Sequence, residues 1–198
     1  MINLLSTRSL LTAALLLFTA PLALAAAPQM SPQGTQTTQT SESQRLVTPP
    51  HADVRSFESA KLTLTQAIAD AQKEMRGKTI DARYEVWQGR PTYLIRTYSV
   101  QQVWQSRIDA NSGQPIGHAT PVVEHELGPH FQRTVTALNN APTTLEQAIG
   151  DAEQQRGGRA IMASVKSGSG GVATYDVDLV KNGRLHTAMI DASTGQLR

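Results

Sequence analysis

The sequence predicts an α+β protein made of two tandem repeats, each a helix packed on a small antiparallel β-sheet. Three observations predict it. Leu64-Thr65-Gln66-Ala67-Ile68-Ala69-Asp70-Ala71 returns as Leu145-Glu146-Gln147-Ala148-Ile149-Gly150-Asp151-Ala152, and Ile108-Asp109-Ala110-Asn111-Ser112-Gly113-Gln114 returns as Ile190-Asp191-Ala192-Ser193-Thr194-Gly195-Gln196. The two spacings are 81 and 82 positions, so both blocks stay in register across one inserted residue. A repeat of that length is a small folding unit rather than a solenoid element. After each helical stripe the apolar period then changes to two, the mark of a strand with one covered face.

Each element follows from local chemistry. Thr63 opens the first helix as N-cap, with Gln66 completing a capping box, and Thr144 with Gln147 repeats the arrangement. Leu64, Ala67, Ile68, Ala71 and Met75 form one stripe, as do Leu145, Ala148, Ile149 and Ala152. The alanines imply close approach to a flat partner, a sheet. Gly77 and Gly157-Gly158 are the expected helix ends.

Ile80, Ala82, Tyr84 and Val86 then alternate with Asp81, Arg83, Glu85 and Trp87. A Gln88-Gly89-Arg90-Pro91 turn leads to a second strand, with Tyr93, Ile95 and Thr97 on one face and Leu94, Arg96 and Tyr98 on the other. A third strand runs from about Val103 to Ile108. The second copy offers Ile161, Ala163 and Val165, a Gly168 to Gly171 turn, then Tyr175, Val177 and Leu179. Its Lys181-Asn182-Gly183-Arg184 is a two-residue hairpin signal, and Leu185 to Ile190 form the last strand.

The ends and the middle of the chain read differently. Residues 1–25 form a signal peptide: Arg8, an apolar run from Leu10 to Leu24 broken by Pro21, and a small-x-small cleavage site at Ala23-Leu24-Ala25. Without cysteine there is neither a disulfide framework nor a lipid acceptor. The expectation is a periplasmic or secreted protein with no stable membrane anchor. Residues 26–60, rich in Gln, Thr, Ser and Pro, predict a flexible polar leader. The first repeat spans 61–118, a linker 119–142 and the second repeat 143–198. The linker can hold a short strand at Val122-Val123 and a helical turn near Phe131, Val135 and Leu138.

The chain holds 18 basic and 16 acidic residues. Removing the signal segment takes away one Arg, so the mature chain is close to neutral, and no Lys/Arg cluster supports nucleic-acid binding.

The Leu-x-x-Ala-Ile-x-x-Ala helix, the alternating meander with Tyr-x-Val/Ile and the closing Ile-Asp-Ala-x-Ser/Thr-Gly resemble the PepSY domain family. That family occurs in propeptides of thermolysin-type metallopeptidases, in spore-germination proteins and in small exported bacterial proteins. The resemblance covers residues 62 to about 117 and 143 to 198. It implies a noncatalytic module, without cofactor, that binds a protein partner such as a peptidase, restraining it or aiding its folding. No peptidase domain is attached, so restraint would act between separate molecules.

Asp109 and Asp191 stand at matching places before Gly113 and Gly195, where a carboxylate accepts turn N–H groups while glycine takes a positive φ; their repetition favours a fold role. His118, His125 and His130, with Glu124 and Glu126, offer a second reading, a small-ligand or metal site in the linker, although their intervals of seven and five miss the helical His spacing of four. There is no Gly-x-Ser-x-Gly, no His-Glu-x-x-His and no thiol. Gly168-Ser169-Gly170-Gly171 lies between strands, so it lacks the helix N-terminus that would cradle phosphate.

The sharpest asymmetry is aromatic. Trp87, Trp104, Tyr84, Tyr93 and Tyr98 belong to the first repeat, and Tyr175 alone to the second. Parity puts Arg83, Trp87, Leu94, Arg96 and Tyr98 on the face away from the helix, against Asp176 and Asp178 in the second copy. Two readings of this face stand: a protein interface, or internal cover by the linker or the other sheet.

Overall fold

The computed structural model describes residues 51–123, 127, 128, 130–168 and 171–198. The predicted signal peptide and most of the leader lie outside them. The elements are α1 (His51–Glu58), α2 (Leu64–Glu74), β1 (Lys78–Trp87), β2 (Arg90–Ser99), β3 (Gln102–Asp109), β4 (Thr120–Pro121), α3 (Phe131–Asn140), α4 (Leu145–Arg156), β5 (Arg159–Ser167), β6 (Ala173–Lys181) and β7 (Arg184–Asp191). The α+β class holds.

The two expected sheets are one. Strands run in the order β4-β3-β2-β1-β5-β6-β7, and β1 pairs with β5 antiparallel through Asp81↔Ser164, Ala82↔Ala163 and Arg83↔Met162. Ala82 therefore faces its own counterpart, 81 positions on, which places an approximate twofold axis at this seam. Small side chains there leave room for the Ala-rich stripes of α2 and α4, whose buried residues are Leu64, Ala67, Ile68 and Ala71 in one and Leu145, Ala148, Ile149 and Ala152 in the other. Both helices lie over the face carrying Ala82, Tyr93, Ile95, Ala163, Tyr175 and Val177, all fully buried. Gln72 of α2 donates to Glu146 of α4 at 2.8 Å.

Symmetry reaches into irregular features. The register slips once at Ile80 and once at Ile161, its counterpart. Tyr93 Oη donates to the Leu62 carbonyl at 2.7 Å and Tyr175 Oη to the Thr143 carbonyl at 2.5 Å. Both capping boxes are closed.

Four further expectations need correction. The last part of the leader is not flexible: α1 packs on β1, with Val54 7% and Phe57 1% exposed and the Phe57 ring 5.4 Å from Tyr84. It holds because it buries apolar surface that its own polar composition conceals. Within the linker, the helical turn is a full helix, α3, packed on β5 and β6, and β4 sits at Thr120–Pro121 rather than Val122-Val123. Lastly, Gly77 does not end α2, which stops at a Met75 cap. Gly77 is required where the chain enters β1, since a Cβ there would run into the Tyr98 carbonyl.

The halves also brace each other. Lys78 Nζ, in the first, donates to the Leu138 and Asn139 carbonyls at the end of α3. Its counterpart Arg159, in the second, donates to the carbonyls of Ala60 and Leu62.

Candidate functional site

Helices cover one face of the sheet, and the alternate strand residues make up the other. On β1 the residues Asp81, Arg83, Glu85 and Trp87 project from it at every second position. They join Arg107 of β3 in a continuous chain. Arg107 stacks its guanidinium 4.9 Å from the Trp87 ring centroid and donates to Glu85 Oε1 at 3.0 Å. Glu85 Oε2 lies 3.8 Å from Arg83 Nε, and Arg83 Nη1 donates to Asp81 Oδ1 at 3.3 Å. These charged side chains are only 19–25% exposed. Such spacing on a rigid strand ties the ladder down without a helix or loop to reorder.

The predicted interface residues have separate fates. Arg83 and Trp87 join the ladder just described. Leu94 is 2% exposed. It pairs with Arg83 on one side and Arg107 on the other, and at that burial it offers a partner no surface. Tyr98 is half-buried and meets the Phe131 ring edge-on at 6.1 Å, so the linker helix covers it. Arg96 Nε is buried with no hydrogen-bond partner. It lines a cleft of about 300 Å³ with Asp81, Lys166, His130 and Phe131. Burial pushes the Asp81 carboxyl above its ordinary value, against the pull of Arg83, Arg96 and Lys166.

The second half answers with acid. Asp176 and Asp178 stand where the first has Leu94 and Arg96. Burial also raises Asp176, opposed by Lys166 and aided by Asp178, while Asp178 accepts from Thr187 Oγ1 at 2.6 Å.

Asp109 Oδ1 accepts the N–H groups of Asn111 and Ser112, each at 2.9 Å, and Asp191 Oδ1 that of Ser193 at 2.7 Å. Gly113 and Gly195 turn through φ +73° and +71°. Burial works against ionisation of Asp109, but those N–H groups and the Ser112 hydroxyl hold it below its ordinary value. Asp191 is lowered by Arg198, then by the Ser193 amide.

The histidines make separate contacts. His118, 99% exposed, has Nδ1 3.5 Å from Glu74 Oε1. His130 Nδ1 lies 2.7 Å from Arg133 Nη2, and His125 falls outside the described residues. Among the described residues, no group of three or more His, Asp or Glu could hold a metal ion, and no helix is long and apolar enough to cross a membrane.

Arg107 and its link to Trp87 were missed from sequence. Parity along the third strand puts Arg107 in phase with Val103 and Gln105, but only the Leu94↔Arg107 register brings it to this face.

Fold and face together define a helix-on-sheet α+β module with one covered and one ionic, aromatic sheet surface. Residues 61–119 match the family profile described as "Peptidase propeptide and YPEB domain", and this segment is a PepSY domain. Among solved structures, a Clostridium difficile protein described as a lipoprotein is similar at 18% identity and a TM-score of 0.42, over 70% of this chain and 91% of that one. No curated protein matches the chain.

Proposed function

We propose that the chain is an exported, noncatalytic protein-binding module that restrains a peptidase or assists its folding, without a cofactor. The PepSY match at 61–119 carries this reading, because PepSY domains are in general propeptide-type modules. Residues 1–25 act as its signal peptide and the mature protein works in the periplasm or outside the cell. The unit at 143–198, with the same helix and three strands, serves as a second PepSY-like domain.

Docking is through the ionic face of the first unit. Trp87 and Arg107 form the anchor, flanked by Arg83 and Arg96, while Leu94 supports them from below and Tyr98 ties the linker helix to the edge. Aromatic and Arg side chains held on a rigid surface are the groups that dominate interface energies, at about 2 kcal/mol or more each. A stacked Trp–Arg pair also gives up little rotamer freedom on binding.

Crosslinking in the native compartment, followed by purification of the captured protein, tests the reading. The expected partner is a peptidase or its precursor, whose activity or refolding changes when the purified chain is added. Trp87→Ala and Arg107→Ala are expected to weaken that effect more than tenfold without shifting the melt, whereas Asp176→Ala leaves it unchanged. A partner with no peptidase relationship, or equal effects from all three variants, would overturn it.

A further inference from the structure

One locus is filled in the first half of the molecule and open in the second. In the first, the guanidinium of Arg159 occupies it: Nη2 donates to the carbonyls of Ala60 and Leu62 at 3.0 and 2.9 Å, and the group lies 4.9 Å from the Phe57 ring centroid. Tyr93 Oη donates to the same Leu62 carbonyl. The repeat spacing carries Arg159, Ala60, Leu62, Phe57 and Tyr93 onto Lys78, Ala141, Thr143, Leu138 and Tyr175. The carbonyls and the tyrosine match, but the cation does not. Lys78 Nζ donates instead to the carbonyls of Leu138 and Asn139, one helical turn earlier in the chain. A cavity of about 320 Å³ results, with Leu138, Ala141, Thr143, Glu146 and Tyr175 among its walls. Among the described residues no donor meets the Ala141 carbonyl, and Thr143 O receives Tyr175 Oη alone.

A carboxylate stands on the wall of this cavity. Glu146 takes the place of Thr65 and enters no ion pair among the described residues. Gln72 Nε2 and Thr79 Oγ1 both donate to its Oε1 at 2.8 Å, which fixes the group and leaves the acceptor capacity of Oε2 for a cation. Its charge also helps burial to push the Tyr175 hydroxyl up, so it acts at the end of the cavity where Thr143 O lies. Lys78 lines the cavity too, but its ammonium is committed to two carbonyls.

We propose that this cavity binds a guanidinium group, the group that arginine carries, on the Ala141 and Thr143 carbonyls with Glu146 as its counter-ion. Arg159 is the molecule's own template for the occupant, since the matching pair of carbonyls already holds a guanidinium in the other half. A planar group with several fixed N–H donors suits two carbonyls and a carboxylate better than an ammonium does. None of the residues of the ionic face lines the cavity, so binding here is independent of docking there.

The probe is Nα-acetyl-arginine methylamide, titrated into the full chain and followed by the amide NMR signals of Ala141 and Thr143. Saturable shifts are expected at both. The citrulline analogue, close in shape but uncharged, should bind about tenfold more weakly, and the lysine analogue about fivefold more weakly. Lys78→Arg should supply the guanidinium from within, as Arg159 does, and abolish binding without lowering Tm, while Glu146→Gln weakens it about tenfold. The citrulline arm leaves the protein untouched, so it decides even if a variant misfolds. Free arginine is run beside the blocked probe: tighter binding of the free amino acid names a small-molecule ligand, and tighter binding of the blocked form names an arginine within a polypeptide. Absent saturation, equal binding of the citrulline analogue, or binding undiminished in Lys78→Arg overturns the proposal. So does an Arg45→Gln variant that binds the probe tenfold more tightly, since the chain's own leader then holds the cavity.

Discussion

The halves on either side of the β1–β5 seam agree wherever a side chain or a turn holds the fold, and part company where the sheet meets solvent. Tyr93 and Tyr175, the bulges at Ile80 and Ile161, and the two capping boxes all match. Leu94 and Arg96, in contrast, give way to Asp176 and Asp178, and Trp87 to Gly168. The common set buries apolar area and pairs backbone groups, demands that are the same in both copies. The divergent set carries charge and aromatic surface, which one sheet needs only once if it meets one partner there.

Destroying the equivalence of α1 and α3 should have the largest effect. Phe57 and Leu138 occupy matching places, 1% and 3% exposed. Phe57→Ala is expected to cost about 3 kcal/mol in urea denaturation, and Leu138→Ala a similar amount. A Phe57→Ala cost below about 0.5 kcal/mol would mean that α1 is a loose leader after all.

The matched tyrosines sharpen the comparison, because their acceptors differ. The Leu62 carbonyl also receives Arg159 Nη2 at 2.9 Å, whereas Tyr175 is the donor found on Thr143 O. Tyr175→Phe should therefore cost about 2 kcal/mol and Tyr93→Phe about 1 kcal/mol, the difference being a part-buried acceptor left without its donor. Burial also pushes the Tyr175 hydroxyl up to about 12, so its ultraviolet titration should lag that of an exposed tyrosine.

Asp109→Ala is expected to lower Tm by a few degrees through two lost turn bonds. Asp191→Ala should do about as much, since it loses one such bond and its contact with Arg198. A change in partner binding without a change in Tm would assign these carboxylates a role beyond the turn.

The smallest effect is one of pH. Asp81 and Asp176 are both raised by burial, so each binds its proton more tightly folded than unfolded. Their contribution is full below the ordinary carboxylate value of 3.8 and is lost as pH rises through the raised folded value. Asp109 and Asp191, lowered, contribute in the opposite sense: fully above 3.8 and lost as pH falls through their folded values. Asp81→Asn should flatten the part of the stability profile that falls on raising pH from 3.8 toward neutrality, leaving the acid limb intact, as followed by thermal melts across pH.

Periodicity and turn chemistry were enough to read both helices of the repeat, six of the strands and the two Asp-Gly turns, because each depends on residues a few places apart. The interface candidates were legible only by parity, which assigns a face but not its cover. Parity could not show that Leu94 lies between two arginines, that Tyr98 lies against Phe131, or that Arg107 reaches Trp87, since these depend on strand register and on where a linker helix settles. The fusion of two small sheets into one was equally hidden: Ala82 and Ala163 are 81 positions apart, and nothing local distinguishes a strand that will be an edge from one that will pair at a seam. Helix α1 escaped for a related reason. Its eight residues are too few to be stable alone, and Val54 and Phe57 become a core only when β1 is there to receive them.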